Sequence, residues 1–143
     1  MNLGRIPAKT ALLDPEREAL IDIPNDRRMT FGALDERVRR LANAFCDELK
    51  LNKGDRVAIL SKNCIQYMEV FYACARGGLI AQPLNWRLSE PEMARILEDG
   101  EPAVVIGSEE YAELTGNLAK AMNTPATLVF TSAADCDYEQ LIA

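Results

Sequence analysis

The sequence contains no histidine. That excludes Ser-His-Asp and Cys-His catalysis, and it removes the side chain that most often ligates transition metals or moves protons near neutral pH. The four cysteines (Cys46, Cys64, Cys74 and Cys136) never form a Cys-x-x-Cys pair, so a zinc site has almost nothing to stand on. Three of them lie in or beside apolar helical stretches, where a free thiol packs as a small hydrophobe, and a reduced, cytoplasmic protein is expected. Neither G-x-G-x-x-G nor G-x-x-x-x-G-K-[ST] occurs among the eight glycines, so no phosphate-cradling loop can be read. Basic residues number 16 against 22 acidic ones, giving a net charge of −6 without the basic stripe that nucleic-acid binding requires. No apolar run approaches the ~18 residues of a membrane span, and "MNLGRIPAKT" lacks the apolar core of a signal peptide.

What remains is an ordinary globular balance, 48% hydrophobic and 27% charged over 143 residues, which fits one domain. Residues 5–14, "RIPAKTALLD", predict a short helix with Pro7 in its first turn, halted by Asp14-Pro15. "EALIDI" (18–23) and "RMTF" (28–31) read as a small hairpin closed by the turn residues "PNDR". Thr30 stands where a hydroxyl can cap the following helix, "FGALDERVRRLANAFCDELK". In that run Leu34, Val38, Leu41, Ala42, Phe45 and Leu49 form one apolar stripe, which leaves Asp35, Glu36, Arg37, Arg39 and Arg40 as a solvated charged face.

From Lys53 onward, short apolar strands alternate with helices. "RVAIL", "LIAQPL" (79–84), "PAVVIG" (102–107) and "ATLVF" (126–130) are the strands, and their near-continuous apolarity marks strands covered on both faces. Between the first two lies "CIQYMEVFYACAR", apolar on more than one face and expected to be largely buried, with Ser61 or Asn63 as its cap and Gly77-Gly78 as its stop. Ser89 to Glu92 spells a capping box before "EPEMARILED", and Ser108 is placed to cap "EEYAELTGNLAKAM". The expected fold is therefore α/β: a mostly parallel sheet with right-handed crossover helices, preceded by a short helix and a small β-hairpin.

Chemistry is sparse. Ser61-Lys62-Asn63 offers one helix start and one lysine, enough for a cap but not a phosphate cradle. Glu109-Glu110 open a helix, where negative charge is simply stabilising. The most distinctive loop is "PLNWRL" (83–88), where a rigid proline, Asn85, the sole tryptophan and Arg87 follow a strand end. Asn85 and Arg87 are the two candidate site residues, with the proposed role of packing against further parts of a larger protein. The other reading has them tie the loop to neighbouring backbone. No catalytic, cofactor-binding or metal-binding residue is assigned.

Taken in order, T-F-x-x-L at Thr30, K-G-D-R-V-A at Lys53, G-G-L-x-x-x-P-L-N-x-R-L at Gly77 and S-x-x-E at Ser89 resemble the N-terminal part of the AMP-forming acyl-CoA synthetases. These are AMP-binding enzymes of the adenylate-forming ligase superfamily, which also holds luciferases and peptide-synthetase adenylation domains. The resemblance implies a complete enzyme that joins a carboxylic acid to ATP with magnesium and passes the acyl group to coenzyme A, as in fatty acid metabolism. It also implies that the phosphate loop, an aromatic-Thr-Glu motif, a ribose-binding aspartate and a lysine on a mobile domain all lie beyond residue 143. The whole chain, 1–143, is then the N-terminal portion of a larger ligase domain, with the hairpin at 18–31 leading into it. Such a fragment is expected to be inactive alone and to carry no cofactor of its own. Its expected associations are with itself or with the remainder of the ligase, not with nucleic acid or a membrane span. Some relatives place arginines after the third strand to meet the cofactor's phosphate; Gly107-Ser108-Glu109-Glu110 is acidic, so that role is not transferred. Two alternatives stand beside this reading: a non-catalytic α/β interaction module derived from the scaffold, and an independent small-molecule binding domain of flavodoxin-like build.

Overall fold

A 3-10 turn at Leu3–Arg5 runs into α1 (Ile6–Leu13). Strands β1 (Glu18–Asp22) and β2 (Arg27–Thr30) pair antiparallel, from Glu18 opposite Thr30 to Asp22 opposite Arg27. Thr30 then caps α2 (Phe31–Asn43) through a 3.3 Å bond from the Ala33 amide, as its position predicts. The helix continues into one π-helical turn, Ala44–Glu48. Next come β3 (Arg56–Leu60), α3 (Ile65–Gly77), β4 (Ile80–Pro83), α4 (Glu90–Gly100) and β5 (Val104–Ser108). A 3-10 turn at Glu109–Tyr111 opens α5 (Ala112–Ala121), followed by β6 (Ala126–Phe130) and a short helix α6 (Asp137–Leu141) that the sequence pattern does not announce. The chain is described from a computed structural model, over residues 2–124, 126–133 and 135–143.

β3 to β6 form one parallel sheet in the order β4-β3-β5-β6. Strand residues alternate between faces, so Val57, Ile59, Val104 and Ile106 point to one side while Ala58, Leu60 and Val105 point to the other. The first side packs on α2, α3 and α6 through Leu41, Phe45, Val70, Ala73 and Tyr138. The second packs on α4 and α5 through Met93, Leu97 and Leu118. Right-handed crossovers require this division: the chain moves outward from β3 to β4, then reverses across β3 to reach β5, and each direction of travel puts its helices on one face. A third cluster, Met29, Leu34, Val38 and Ile65, seats the hairpin on α2 and α3.

Three local expectations need correction. Neither Ser61 nor Asn63 caps α3. The helix begins later, Cys64 takes the cap position with no side-chain cap bond, and the Ser61 hydroxyl donates instead to the Lys62 carbonyl at 2.7 Å. Ser108 holds the extended backbone of a cap, yet makes no side-chain cap bond, and among the described residues its hydroxyl has no partner. By contrast the capping box at α4 forms, with Glu92 accepting from the Ser89 amide at 2.8 Å and from its hydroxyl at 2.6 Å.

The third correction concerns charge. Arg37 does not face water; it lies between two carboxylates. It donates to Glu69 at 2.5 and 3.1 Å and to Glu139 at 2.8 and 2.9 Å, joining α2 to α3 and α6. Glu69 is fully buried, and the Tyr138 hydroxyl donates to it at 2.8 Å. Burial and the neighbouring Glu69 carboxylate push the Tyr138 phenol well above its ordinary value, so it stays a donor. Asp35 is likewise engaged, accepting from Arg76 at 2.7 Å. Only Glu36, Arg39 and Arg40 keep the exposed pairing expected of a solvated helix face.

α3 is also less apolar inside than its composition suggests: Phe71 is exposed, while Gln66 and Glu69 are buried. Gly78 ends the helix with φ +73°, and its amide bonds to the Cys74 carbonyl. The buried Cys74 thiol is pushed up to about 12 by desolvation, which suits a packing role.

Two outcomes follow for stability. Gly78→Val puts a β-branched residue at positive φ, with its Cβ 3.2 Å from Lys53 Cγ. It should destabilise the fold by about 1–3 kcal/mol or more, against about 1 kcal/mol or less for Ser61→Ala. Equal denaturant midpoints for the two variants would place the helix end elsewhere. In the charge run, Arg37→Met strands the buried Glu69 and should cost about 3–5 kcal/mol, whereas exposed Arg39→Met should stay within about 0.5 kcal/mol. Equal losses in urea melts would refute the clamp.

Candidate functional site

In an open parallel sheet a crevice forms at the carboxyl ends of the strands where the direction of winding reverses. Here that point lies between β3 and β5. The three segments leaving the strands there are Ser61-Lys62-Asn63-Cys64 after β3, Ser108-Glu109-Glu110 after β5 and Thr131-Ser132 after β6. The hairpin turn from Asp22 to Arg27 forms the opposite wall. Together they enclose a cleft of about 710 Å³.

Its floor and walls differ in how well they are satisfied. Asp22 is buried and accepts from both the backbone amide and the side chain of Asn25, which closes the hairpin turn. Lys62 donates to Glu110 at 2.6 Å, and that carboxylate raises the pKa of the lysine and holds it charged. The Gln66 residue, from the first turn of α3, is only 5% exposed and lines the cleft. Among the described residues the buried Ser108 hydroxyl has no hydrogen-bond partner. Burial pushes the Cys64 thiol up, so it is no activated nucleophile. Among the described residues no group of three or more Cys, Asp or Glu is placed to hold a metal ion.

The candidate residues Asn85 and Arg87 lie outside this cleft, in the exposed loop after edge strand β4. Asn85 Oδ1 accepts from the Arg87 backbone amide at 3.0 Å, a local turn bond. The Arg87 guanidinium sits 4.1 Å from the centre of the Trp86 ring, and Lys62 Nζ lies 5.2 Å from it. The loop and the cleft therefore meet at Lys62. The sequence reading passed over Gln66 because the helix around it is apolar. Its position beside Ile65, and one helical turn before Val70, is the available signal, since both of those neighbours are core residues.

Comparison with known proteins agrees with this architecture. The family described as AMP-binding enzyme matches residues 8–141. A long-chain-fatty-acid–CoA ligase, FadD13, of Mycobacterium tuberculosis is 31% identical over 140 residues, covering 98% of this chain and 28% of its own length. A feruloyl-CoA synthase of an Amycolatopsis species is 35% identical over 126 residues, covering 87% of this chain and 25% of its own. The crystal structure of the N-terminal domain of FACL13 from Mycobacterium tuberculosis superposes with a TM-score of 0.85 at 28% identity, covering all of this chain and 37% of that one. The chain thus spans less than a third of the length of the curated relatives it matches. No helix among the described residues is long and apolar enough to cross a membrane. With a family match along nearly its whole length and the same parallel sheet, hairpin and short N-terminal helix, this chain belongs to the AMP-binding enzyme family.

Proposed function

We propose that the chain is the N-terminal portion of an acid–CoA ligase and supplies scaffold rather than chemistry. The observation that carries this is coverage: nearly all of this chain matches 28% of a fatty-acid–CoA ligase and 25% of a feruloyl-CoA synthase. In the complete enzyme ATP supplies the adenylyl group and coenzyme A the acceptor thiol. The residues at the strand ends do not fit a polyphosphate or the cofactor's phosphate. The only lysine there is already paired with Glu110, Glu109 stands beside it, and no glycine-rich loop offers converging amides. No step is therefore assigned to this chain. The two relatives are named for a long-chain fatty acid and for ferulate, so an aliphatic or aromatic carboxylic acid is the substrate class of the whole, with a place in fatty acid metabolism if it is aliphatic.

Asn85 and Arg87 brace the β4 edge against the remainder of the ligase in this proposal. Their exposure and the cation stacked on Trp86 support that reading. Packing of the same kind accounts for Leu12, Leu13 and Ile23, which are 86%, 88% and 82% exposed. The interaction-module reading draws on these same residues, and catalytic competence separates the two.

Positioning and charge stabilisation carry adenylyl and phosphoryl transfer, and their groups are missing from this sequence. The purified chain should give no ATP–pyrophosphate exchange with fatty or aromatic acids; acid-dependent exchange above background would refute the scaffold assignment. It should also self-associate or bind a hydrophobic dye as concentration rises. A dye-free, monodisperse monomer in light scattering at high concentration would mean that these apolar residues need no cover.

A further inference from the structure

The charge of the chain is unevenly placed. Between Glu90 and Lys120, eight acidic residues stand against only Arg95 and Lys120, a balance of −6. That equals the net charge of the whole chain, because the rest holds 14 basic and 14 acidic residues. All eight carboxylates are exposed, on α4, its C-cap Glu101, α5 and the turn that opens α5. These helices cover the second side of the sheet. Ile96 of α4 and Ile80 of the edge strand β4 are exposed on that side as well.

The N-terminal turn and α1 have the opposite character. Residues 2–13 contain Arg5 and Lys9 and no acidic residue. Both cations are exposed, and neither forms an ion pair among the described residues. Leu3, Ile6, Leu12 and Leu13 are exposed on the same segment. Gly4 admits the turn against the α3 backbone at Arg76, and α1 packs on α2. Because α2 and α3 cover the first side of the sheet, α1 and the acidic helices lie on opposite sides of the molecule. Within one chain these two surfaces cannot meet. Between two chains they can.

Charge decides which pairing of copies is favoured. Two α1 surfaces repel each other, and so do two acidic surfaces. Setting α1 against α4 and α5 brings opposite signs together, with leucine or isoleucine on each side. Such a contact uses different surfaces on the two copies, so it is heterologous and does not close at a dimer. We propose that the α1 surface docks the acidic α4–α5 face of a second copy, giving head-to-tail association. The inference rests on the self-association expected above and names the surfaces that carry it. Pyrophosphate exchange tests the ligase assignment separately, so either can fail without the other.

Sedimentation and light scattering of the purified chain across a concentration series test this. The mean mass should keep rising with concentration instead of levelling at a dimer. Salt at about 0.3 M should weaken association about fivefold or more relative to about 20 mM. Arg5→Glu with Lys9→Glu blocks one surface, and Glu98→Lys with Asp99→Lys blocks the other. All four side chains are exposed, and lysine in the last turn of α4 suits the helix dipole. Each double variant should associate about tenfold more weakly than the native chain. Leu12→Gln with Leu13→Gln should weaken association by about as much. An equimolar mixture of the two charge variants should regain the native affinity yet stop at a dimer, since each copy keeps one working surface. Association indifferent to salt and to the charge variants belongs to β6 or another apolar contact, and overturns the proposal. A mixture no more associated than its components overturns it too, as does a monomer at every concentration. Binding of that monomer to phosphatidylglycerol vesicles, lost in Arg5→Glu with Lys9→Glu, would give the α1 surface to a lipid instead.

Discussion

Every residue of β3 from Val57 to Leu60 is fully buried, as are Val104, Val105 and Ile106 of β5. Strands buried on both faces need a helical layer on each side. A chain that keeps right-handed crossovers can supply two layers only by reversing its direction of winding once. That reversal parts the loops after β3 and β5 and opens the cleft. The sheet's apolar centre and the crevice at its carboxyl edge are thus two results of one constraint. A strand of alternating character, satisfied by a single layer, would have required neither.

One polar arrangement sits inside this apolar frame. Burying Glu69 without compensation would cost several kcal/mol, and its partners are drawn from two other helices, Arg37 from α2 and Tyr138 from α6. Arg37 also reaches Glu139, so one guanidinium spans two carboxylates far apart in sequence. Arg40, one turn further along α2, donates to the Ala143 carbonyl at 3.0 Å. Helix α6 has only five residues and could not persist alone. These charge-assisted bonds, with the packing of Tyr138 against Phe130, hold it where it is. Geometry and register here depend on a buried salt bridge even where net stability gains little from it.

What could be read from the sequence divides along the same line. Strand and helix order up to β6 was legible because the sheet strands are short apolar runs and most of the helices have a cap, a stripe or a terminating glycine. The positive φ at Gly78 and the Ser89–Glu92 box are local rules that tertiary structure left intact. The misreading of the charged helix face depends on contacts distant in the chain. Arg37 differs from Arg39 only in facing Glu69 and Glu139, and a 3.6-residue period does not reveal a carboxylate 32 residues away. Ser61 fails as a cap because its own carbonyl-side neighbour accepts its hydroxyl. The cleft was invisible for a related reason: its walls come from four separate segments, none of which has a motif of its own.

The two edges of the sheet are not equally protected, and this bears on where the proposed packing falls. β4 has four residues, ends in Pro83, and runs into the loop where Trp86 carries Arg87. Short length, proline and a nearby charge are the usual ways of blunting an edge. β6 reads Ala-Thr-Leu-Val-Phe, with no charge and no proline inside it. Its inner side pairs with β5 over five registered positions, from Val104 with Ala126 to Ser108 with Phe130, while α6 covers one face. Among the described residues β6 has no second strand partner, so its outer row of amides and carbonyls has no ladder. Of the two edges it is the better template for another strand, whether from the rest of a ligase or from a second copy. Association at β6 would extend the ladder, whereas at β4 Pro83 offers no amide and the adjoining loop presents the side chains of Asn85 and Arg87. The edge with the distinctive sequence is therefore the one suited to bracing, and the edge with a plain apolar sequence is the one suited to growth.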